Sequence, residues 1–168
     1  MSEHYYNIVN GRKTYSAGVG KPPIFLQAIL DNESMSEDDF FHIVDQYLDW
    51  EKQGDDKKVV KPLVNLLAEY GDKLIYAFDR RMAQMLQELD TKEIVEKGYK
   101  AEDCFGEDAF LYSRCAALVN GKAYFNAIKK GKRKINTKLE FEALLYVPAE
   151  AWAIAHHKQA KEYSLPNY

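Results

Sequence analysis

The chain has 168 residues, of which 46% are hydrophobic and 29% charged, and this is the composition of one globular domain rather than of a disordered chain. Its net charge of −3 argues against a surface that is basic throughout, as in a general nucleic-acid-binding protein, and leaves room for a local basic patch. No apolar run approaches the roughly 18 residues of a membrane helix, and the N-terminus lacks the pattern of a secretory signal. We therefore expect a soluble, cytoplasmic protein.

The N-terminal residues predict a small β-structure. The stretches "YYNIV" and "RKTYS" are rich in aromatic and β-branched residues, and Asn10 and Gly11 between them suit a type I′ turn. We predict a β-hairpin over residues 4–16. The following "GVGK" does not make a phosphate-binding loop, because Tyr15 stands where the first glycine is needed and Pro22 stands where a hydroxyl residue would hold magnesium.

Beyond the hairpin, apolar residues recur at three- and four-residue spacing, which predicts helices. The apolar segment "IFLQAIL" suits a short helix, and Ser36 is a good N-cap for the helix after it. Gly71 ends a later helix, and Gly131 ends another. The predicted helices are one that starts after Ser36, 57–70, 72–89, a shorter one capped by Thr91, 108–119 and 122–130.

Prolines and one capping pattern guide the remaining boundaries. Pro62 is expected near the first turn of helix 57–70, where its missing N–H costs little. Thr137 and Glu140 fit a capping box in front of "FEALLYV". Pro148 is expected to open the last helix at its first turn.

These elements predict a mainly α fold, a compact multi-helix domain with a short N-terminal β-hairpin. Residues 1–34 contain the hairpin and a connecting segment, and residues 35–168 form the helical domain. We expect the two parts to belong to one structural unit.

Four stretches in the helical part have a distinctive order and spacing: "MSEDDFFHIVDQ", "IYAFDRRMAQML", "DAFLYSRCAALVNGKAYFNAI" and "EALLYVPAEAW". In the third stretch the distinctive positions are Phe110, Arg114, Gly121 and Phe125. Together the stretches resemble a bacterial family known as domain of unknown function 4240. The resemblance covers residues 35–154 and leaves residues 1–34 outside. It implies a shared fold and brings no activity to carry over.

The clearest charge feature is a basic stretch between residues 129 and 138. It contains Lys129, Lys130, Lys132, Arg133, Lys134 and Lys138, with no acidic residue among them. Tyr124 and Phe125 lie one turn upstream, and cations beside aromatic rings can bind a phosphate backbone and stack bases. Three interpretations stay open: a solvated loop whose lysines favour a helix dipole, a docking site for an anionic protein, and a nucleic-acid site.

Arg114 is the second feature of interest, because it lies in an amphipathic stretch among apolar residues. A partly buried arginine needs a carboxylate partner, since an unpaired buried charge is costly. The candidate partners are Asp79, Glu142 and Asp108. An ion pair that specifies the fold and an anion-binding or catalytic role both stay open for Arg114.

Signals for catalysis or metal binding are weak. His156 and His157 are adjacent on a helix and point about 100° apart, so they do not easily share one metal, and His42 is not required to join them. Cys104 and Cys115 lack the Cys-x-x-Cys spacing of a redox pair, and we expect ordinary reduced thiols. No nucleophile elbow or cysteine–histidine arrangement is visible. We predict neither a cofactor nor a metal.

The leading hypothesis is a non-enzymatic protein-binding or regulatory module with an unidentified protein partner. The N-terminal hairpin is a candidate edge for strand addition. The alternatives are an enzyme with an anion-recognising pocket around Arg114, and a nucleic-acid adaptor that uses residues 129–138. The candidate anion- or partner-binding residues are Arg114, Lys132, Arg133, Lys134 and Tyr124.

Overall fold

The structure is a computed structural model that describes residues 22–99 and 106–166. Within these residues it contains helices and no strand, so the mainly helical fold predicted from the sequence is confirmed. The β-hairpin predicted for residues 4–16 lies outside the described residues. The helices are α1 (Ile24–Asn32), α2 (Glu37–Tyr47), α3 (Asp56–Tyr70), α4 (Asp72–Glu88), α5 (Lys92–Gly98), α6 (Glu107–Val119), α7 (Lys122–Lys129) and α8 (Ala143–His156), with 3₁₀ turns at Trp50–Lys52 and Ala160–Glu162.

One apolar core joins these helices. Its largest side chains without exposed surface are Phe40, Phe78, Phe125 and Phe141. The rings of Phe40 on α2 and Phe78 on α4 stack at 5.0 Å, and the rings of Phe41 on α2 and Phe125 on α7 lie 5.5 Å apart. The core thus fixes α7 against α2. None of the described helices combines the length and the apolar character needed to cross a membrane.

Several helix ends lie where local sequence signals place them. Ser36 and Asp39 form a capping box at the start of α2, and the Thr91 hydroxyl accepts the N–H of Ile94 at the start of α5. Gly71 has a φ of 74° and separates α3 from α4. Its N–H donates to the carbonyl of Leu67, which ends α3 as predicted.

The prediction of a helix that opens at Pro148 is wrong. Helix α8 runs without interruption from Ala143 to His156 and contains Pro148. An interior proline cannot donate to the carbonyl four residues earlier, and it costs about 3 kcal/mol. Leu144, Val147 and Ala151 have no exposed surface, and burying one Leu or Val side chain contributes about 1.5–3 kcal/mol. Packing of α8, chiefly against α3, therefore outweighs the cost of the proline.

Two related expectations are also wrong. Pro62 lies beyond the first turn of α3, where the burial of α3 offsets its cost in the same way. Thr137 and Glu140 do not cap α8, whose N-cap is Glu142 without a side-chain hydrogen bond. Instead, the Asn136 side chain accepts the N–H of Lys138 at 3.0 Å, and the chain forms a turn there.

Candidate functional site

Residues 129–134 of the basic stretch form a short loop between two buried isoleucines, and Lys138 lies beyond this loop. Ile128 at the end of α7 is 1% exposed, and Ile135 after the loop is 3% exposed. We call residues 129–134 the basic loop. Because Ile128 and Ile135 are buried in the core, both ends of the loop are anchored, and the residues between them are exposed.

Backbone hydrogen bonds define the turn at the start of the basic loop. The N–H of Gly131 donates to the carbonyl of Ile128 at 2.9 Å, and the N–H of Lys132 donates to the carbonyl of Ala127 at 2.9 Å. This pair of bonds is a Schellman motif, and it requires a left-handed residue at its centre. Gly131, with a φ of 68°, supplies that residue and ends α7 as predicted.

Tyr124 supports the basic loop from the side. Its hydroxyl accepts the backbone N–H of Asn136 at 3.1 Å, and the guanidinium of Arg133 lies 4.7 Å from the centre of its ring. The structure therefore brings together Tyr124 and Arg133, two of the residues that the sequence singled out. The contact holds Arg133 in place by a cation–π interaction.

The cations of the loop divide into two groups. Lys129 is tied to the protein: it bonds to Glu88, lies 3.9 Å from Glu37 and stands over the ring of Phe125. The others are exposed and, within the described part of the chain, no carboxylate forms an ion pair with them. These are Lys130, Lys132, Arg133 and Lys134. Among the described residues, the loop thus presents four cations that take part in no ion pair.

A cleft of about 280 Å³ lies between the basic loop and α5. Its apolar lining is Ile94, Ile128 and Ile135. Its charged lining consists of Glu88, Glu93, Lys97, Lys129, Lys130, Arg133 and Lys134. Glu93 and Lys97 were missed as site residues from the sequence: their spacing of four residues on α5 is a local signal for an ion pair, but only the packing of α5 beside the loop brings them to this cleft.

Arg114 is buried, and the groups that it contacts differ from the predicted ones. It is 9% exposed, its Nη1 donates to the carbonyl of Leu86 at 2.9 Å, and the same atom lies 3.4 Å from Asp90 Oδ2. Its guanidinium also lies 4.7 Å from the centre of the Phe110 ring. Because Leu86 lies in the last turn of α4, Arg114 supplies positive charge to a helix C-terminus. The predicted partners Asp79, Glu142 and Asp108 are wrong.

The three carboxylates predicted as partners of Arg114 lie in other surroundings. Asp79 accepts the hydroxyl of Tyr163 at 2.6 Å, and burial raises the pKa of this carboxyl. Glu142 accepts the hydroxyl of Tyr146 at 2.5 Å. Asp108 is exposed in the first turn of α6. These contacts do not gather the groups into one pocket with Arg114.

His156 and His42 each contact a neighbouring side chain, and Cys115 is buried. His156 Nε2 lies 2.7 Å from Asp72 Oδ1, and His42 packs edge-on against Phe25 at 4.6 Å. Burial raises the pKa of the Cys115 thiol to about 12, so it is not a reactive thiolate at neutral pH. Among the described residues, no group of three side chains of the usual metal-binding types is placed to hold a metal ion. Cys104 and His4 lie outside them.

Comparison with known proteins agrees with the motifs noted in the sequence. A family model with the description "Protein of unknown function (DUF4240)" matches residues 35–153 and leaves the N-terminus outside. Neither the curated proteins nor the solved structures gave a match. The family match spans well over half of the sequence, and the chain belongs to the DUF4240 family.

Proposed function

We propose that the chain is a non-enzymatic binding module that docks an acidic segment of another protein on its basic loop. The observation that carries this proposal is the display of Lys130, Lys132, Arg133 and Lys134 on a loop fixed at both ends. Because the backbone of the loop is anchored at both ends, it loses little entropy when a partner binds, and its cations attract an oppositely charged surface from solution. The module would act in the cytoplasm, as the sequence predicts, and in a bacterium, as the family resemblance implies.

The charge around the loop favours an acidic protein over a nucleic acid. Glu88 and Glu93 line the adjacent cleft, and a nucleic-acid backbone, which carries one charge per nucleotide, would meet these carboxylates at close range. A peptide can place acidic residues beside the cations and apolar residues elsewhere. Tyr124 offers less stacking surface than the sequence suggests, because Arg133 covers one face of its ring.

The surroundings of Arg114 give less support to an enzyme. Its guanidinium contacts a backbone carbonyl, a carboxylate and an aromatic ring of the fold itself. Two of these contacts are made at the end of α4, and the third is made with Phe110 on α6. The hairpin predicted for residues 4–16 stays a second candidate docking element, through strand addition.

The test compares three tagged baits in native lysate at moderate salt. One bait is the wild type, the second carries K132E, R133E and K134E, and the third carries K52E, K57E and K61E. The control lysines are also exposed and lie on the first 3₁₀ turn and α3, so the charge change is the same at another place. All three baits should have the same far-UV circular dichroism spectrum.

We expect a protein captured in stoichiometric amount by the wild type and the control bait and lost from the loop variant. The captured protein should then bind purified wild-type chain through its acidic segment. Equal capture by all three baits would contradict the proposal. Capture of material that nuclease treatment removes would favour a nucleic-acid adaptor instead.

A further inference from the structure

Helix α5 carries two ion pairs, each between residues four positions apart, and only one of the pairs lines the cleft. Glu93 and Lys97 are joined by a bond of 2.6 Å and both line the cleft beside the basic loop. Lys92 and Glu96 lie 3.5 Å apart, and neither lines the cleft. The second pair is therefore a natural reference for the first, because the residue types, the helix and the spacing are the same.

The first pair lies directly against the turn of the basic loop. A Cβ atom built on Gly131 would lie 3.1 Å from Lys97 Nζ and 3.6 Å from Glu93 Oε1. Lys97 therefore adds a further cation to the cleft that Lys130 and Arg133 also line. In the free chain the Glu93 carboxylate offsets part of the repulsion among these cations, and its hydrogen bond from Lys97 lowers the pKa of Glu93.

The size and lining of the cleft limit what it can hold. A volume of about 280 Å³ is smaller than most sites for drug-sized ligands and is large enough to admit a side chain of a partner. The buried side chains of Ile94, Ile128 and Ile135 give it an aliphatic floor, and its charged lining carries five cations against the two carboxylates of Glu88 and Glu93. A side chain with a methylene stem and a terminal carboxylate matches both parts, since the stem covers the floor and the carboxylate reaches the cations.

We propose that this cleft binds one glutamate side chain of the acidic partner segment, with the carboxylate of the partner replacing that of Glu93 on Lys97. The inference rests on the proposed function and adds the residue type that the module recognises. Glu93 is then an internal competitor that occupies the site until an acidic segment arrives. The exchange forms one ion pair and releases another, so it requires no covalent step.

The test measures binding of a fluorescein-labelled poly-glutamate peptide to the full chain by fluorescence anisotropy at low ionic strength. E93Q removes the competing carboxylate and should tighten binding roughly threefold, the effect of one exposed ion pair. K97M removes the cation, leaves Glu93 in the cleft and should weaken binding by roughly threefold or more. E96Q and K92M make the same changes of charge on α5 outside the cleft, and their effects should be clearly smaller. A poly-aspartate peptide should bind more weakly, because its stem is shorter.

The outcomes separate the two proposals. If E93Q matches E96Q and K97M matches K92M, while the loop variant with K132E, R133E and K134E still loses the peptide, the cleft proposal is wrong and the loop proposal stands. If the wild type does not bind poly-glutamate, or if the loop variant binds it as well as the wild type, both proposals are wrong. All variants change exposed side chains, and a thermal unfolding midpoint close to that of the wild type should confirm that each is folded.

Discussion

The guanidinium of Arg114 contacts groups of the fold that would lose a charged partner on its removal. It binds the carbonyl of Leu86 in the last turn of α4, and its charge faces the Asp90 carboxylate that follows this helix. Asp90 keeps 54% of its side chain exposed, so water solvates the carboxylate as well. The arginine is therefore the buried member of the pair, and its removal should cost more than removal of its partner.

We expect R114M to lower the free energy of unfolding by about 2 kcal/mol, because the buried carbonyl of Leu86 loses its charged donor. D90N should cost only about 0.5 kcal/mol, since Asp90 is half exposed. Urea denaturation at neutral pH measures both values. An R114M variant with unchanged stability and abolished partner binding would show instead that Arg114 belongs to a binding site.

At the level of the element, the basic loop depends on how α7 ends. The Schellman motif requires a left-handed residue, and Gly131 has the φ of 68° that this motif needs. The same residue approaches the Glu93–Lys97 ion pair of α5. A change at Gly131 therefore affects the backbone of the loop and the wall of the cleft at the same time.

We expect G131A to destabilise the chain by about 1 kcal/mol, because alanine resists positive φ. G131N should cost less, since asparagine tolerates the left-handed region, although both side chains bring a Cβ atom towards Lys97. Comparing the two variants by urea denaturation separates backbone strain from crowding. Equal losses would mean that contact with Lys97, not the φ of the turn, limits this position.

Across the whole molecule, the C-terminal segment is tied back to the middle of the chain. The hydroxyl of Tyr163 donates to Asp79 on α4 at 2.6 Å. The Tyr163 ring stacks on Tyr76 at 6.3 Å and lies tilted beside Trp152 at 6.0 Å. Burial raises the pKa of Asp79, while the bond from Tyr163 acts in the opposite direction by favouring the ionised carboxylate. The Tyr163 hydroxyl thus stabilises the ionised form of the half-buried Asp79 carboxyl.

We expect Y163F to cost about 1 kcal/mol at neutral pH, because the ionised Asp79 loses a hydrogen bond. Without that bond the pKa of Asp79 should rise further. A raised folded-state pKa gives stability that is fully present below the ordinary pKa of an aspartate and is lost as the pH rises through the raised value. The difference between Y163F and the wild type should therefore grow as the pH rises through the titration of Asp79.

Urea unfolding at a series of pH values, together with ¹³C NMR titration of the Asp79 carboxyl, measures this effect. D79N is the matched control, because an asparagine can still accept the Tyr163 hydroxyl but does not titrate in this range. Adding Y163F to D79N should give a loss that does not change with pH. A pH-dependent loss in that background would assign the effect to another group.

The amino-acid sequence by itself determined the features that depend on neighbours along the chain. The helical class of the described part follows from apolar periodicity, and the ends at Ser36, Gly71, Thr91 and Gly131 follow from capping and glycine preferences that act within one turn. The sequence motifs were sufficient to identify the family. The error at Pro148 shows the limit of such signals, because burial of α8 in the core outweighs a local preference.

Only the tertiary structure decided which distant groups meet. Arg114 pairs with Asp90 rather than with Asp79 because the end of α4 packs against α6. Asp79 instead accepts a hydrogen bond from Tyr163, which lies 84 positions further along the sequence. Tertiary packing also places α5 beside the basic loop, where it lines the cleft. The sequence lists every carboxylate and cation, but pairings between them depend on helix packing, which arises from the summed burial of many apolar side chains and not from the charged residues themselves.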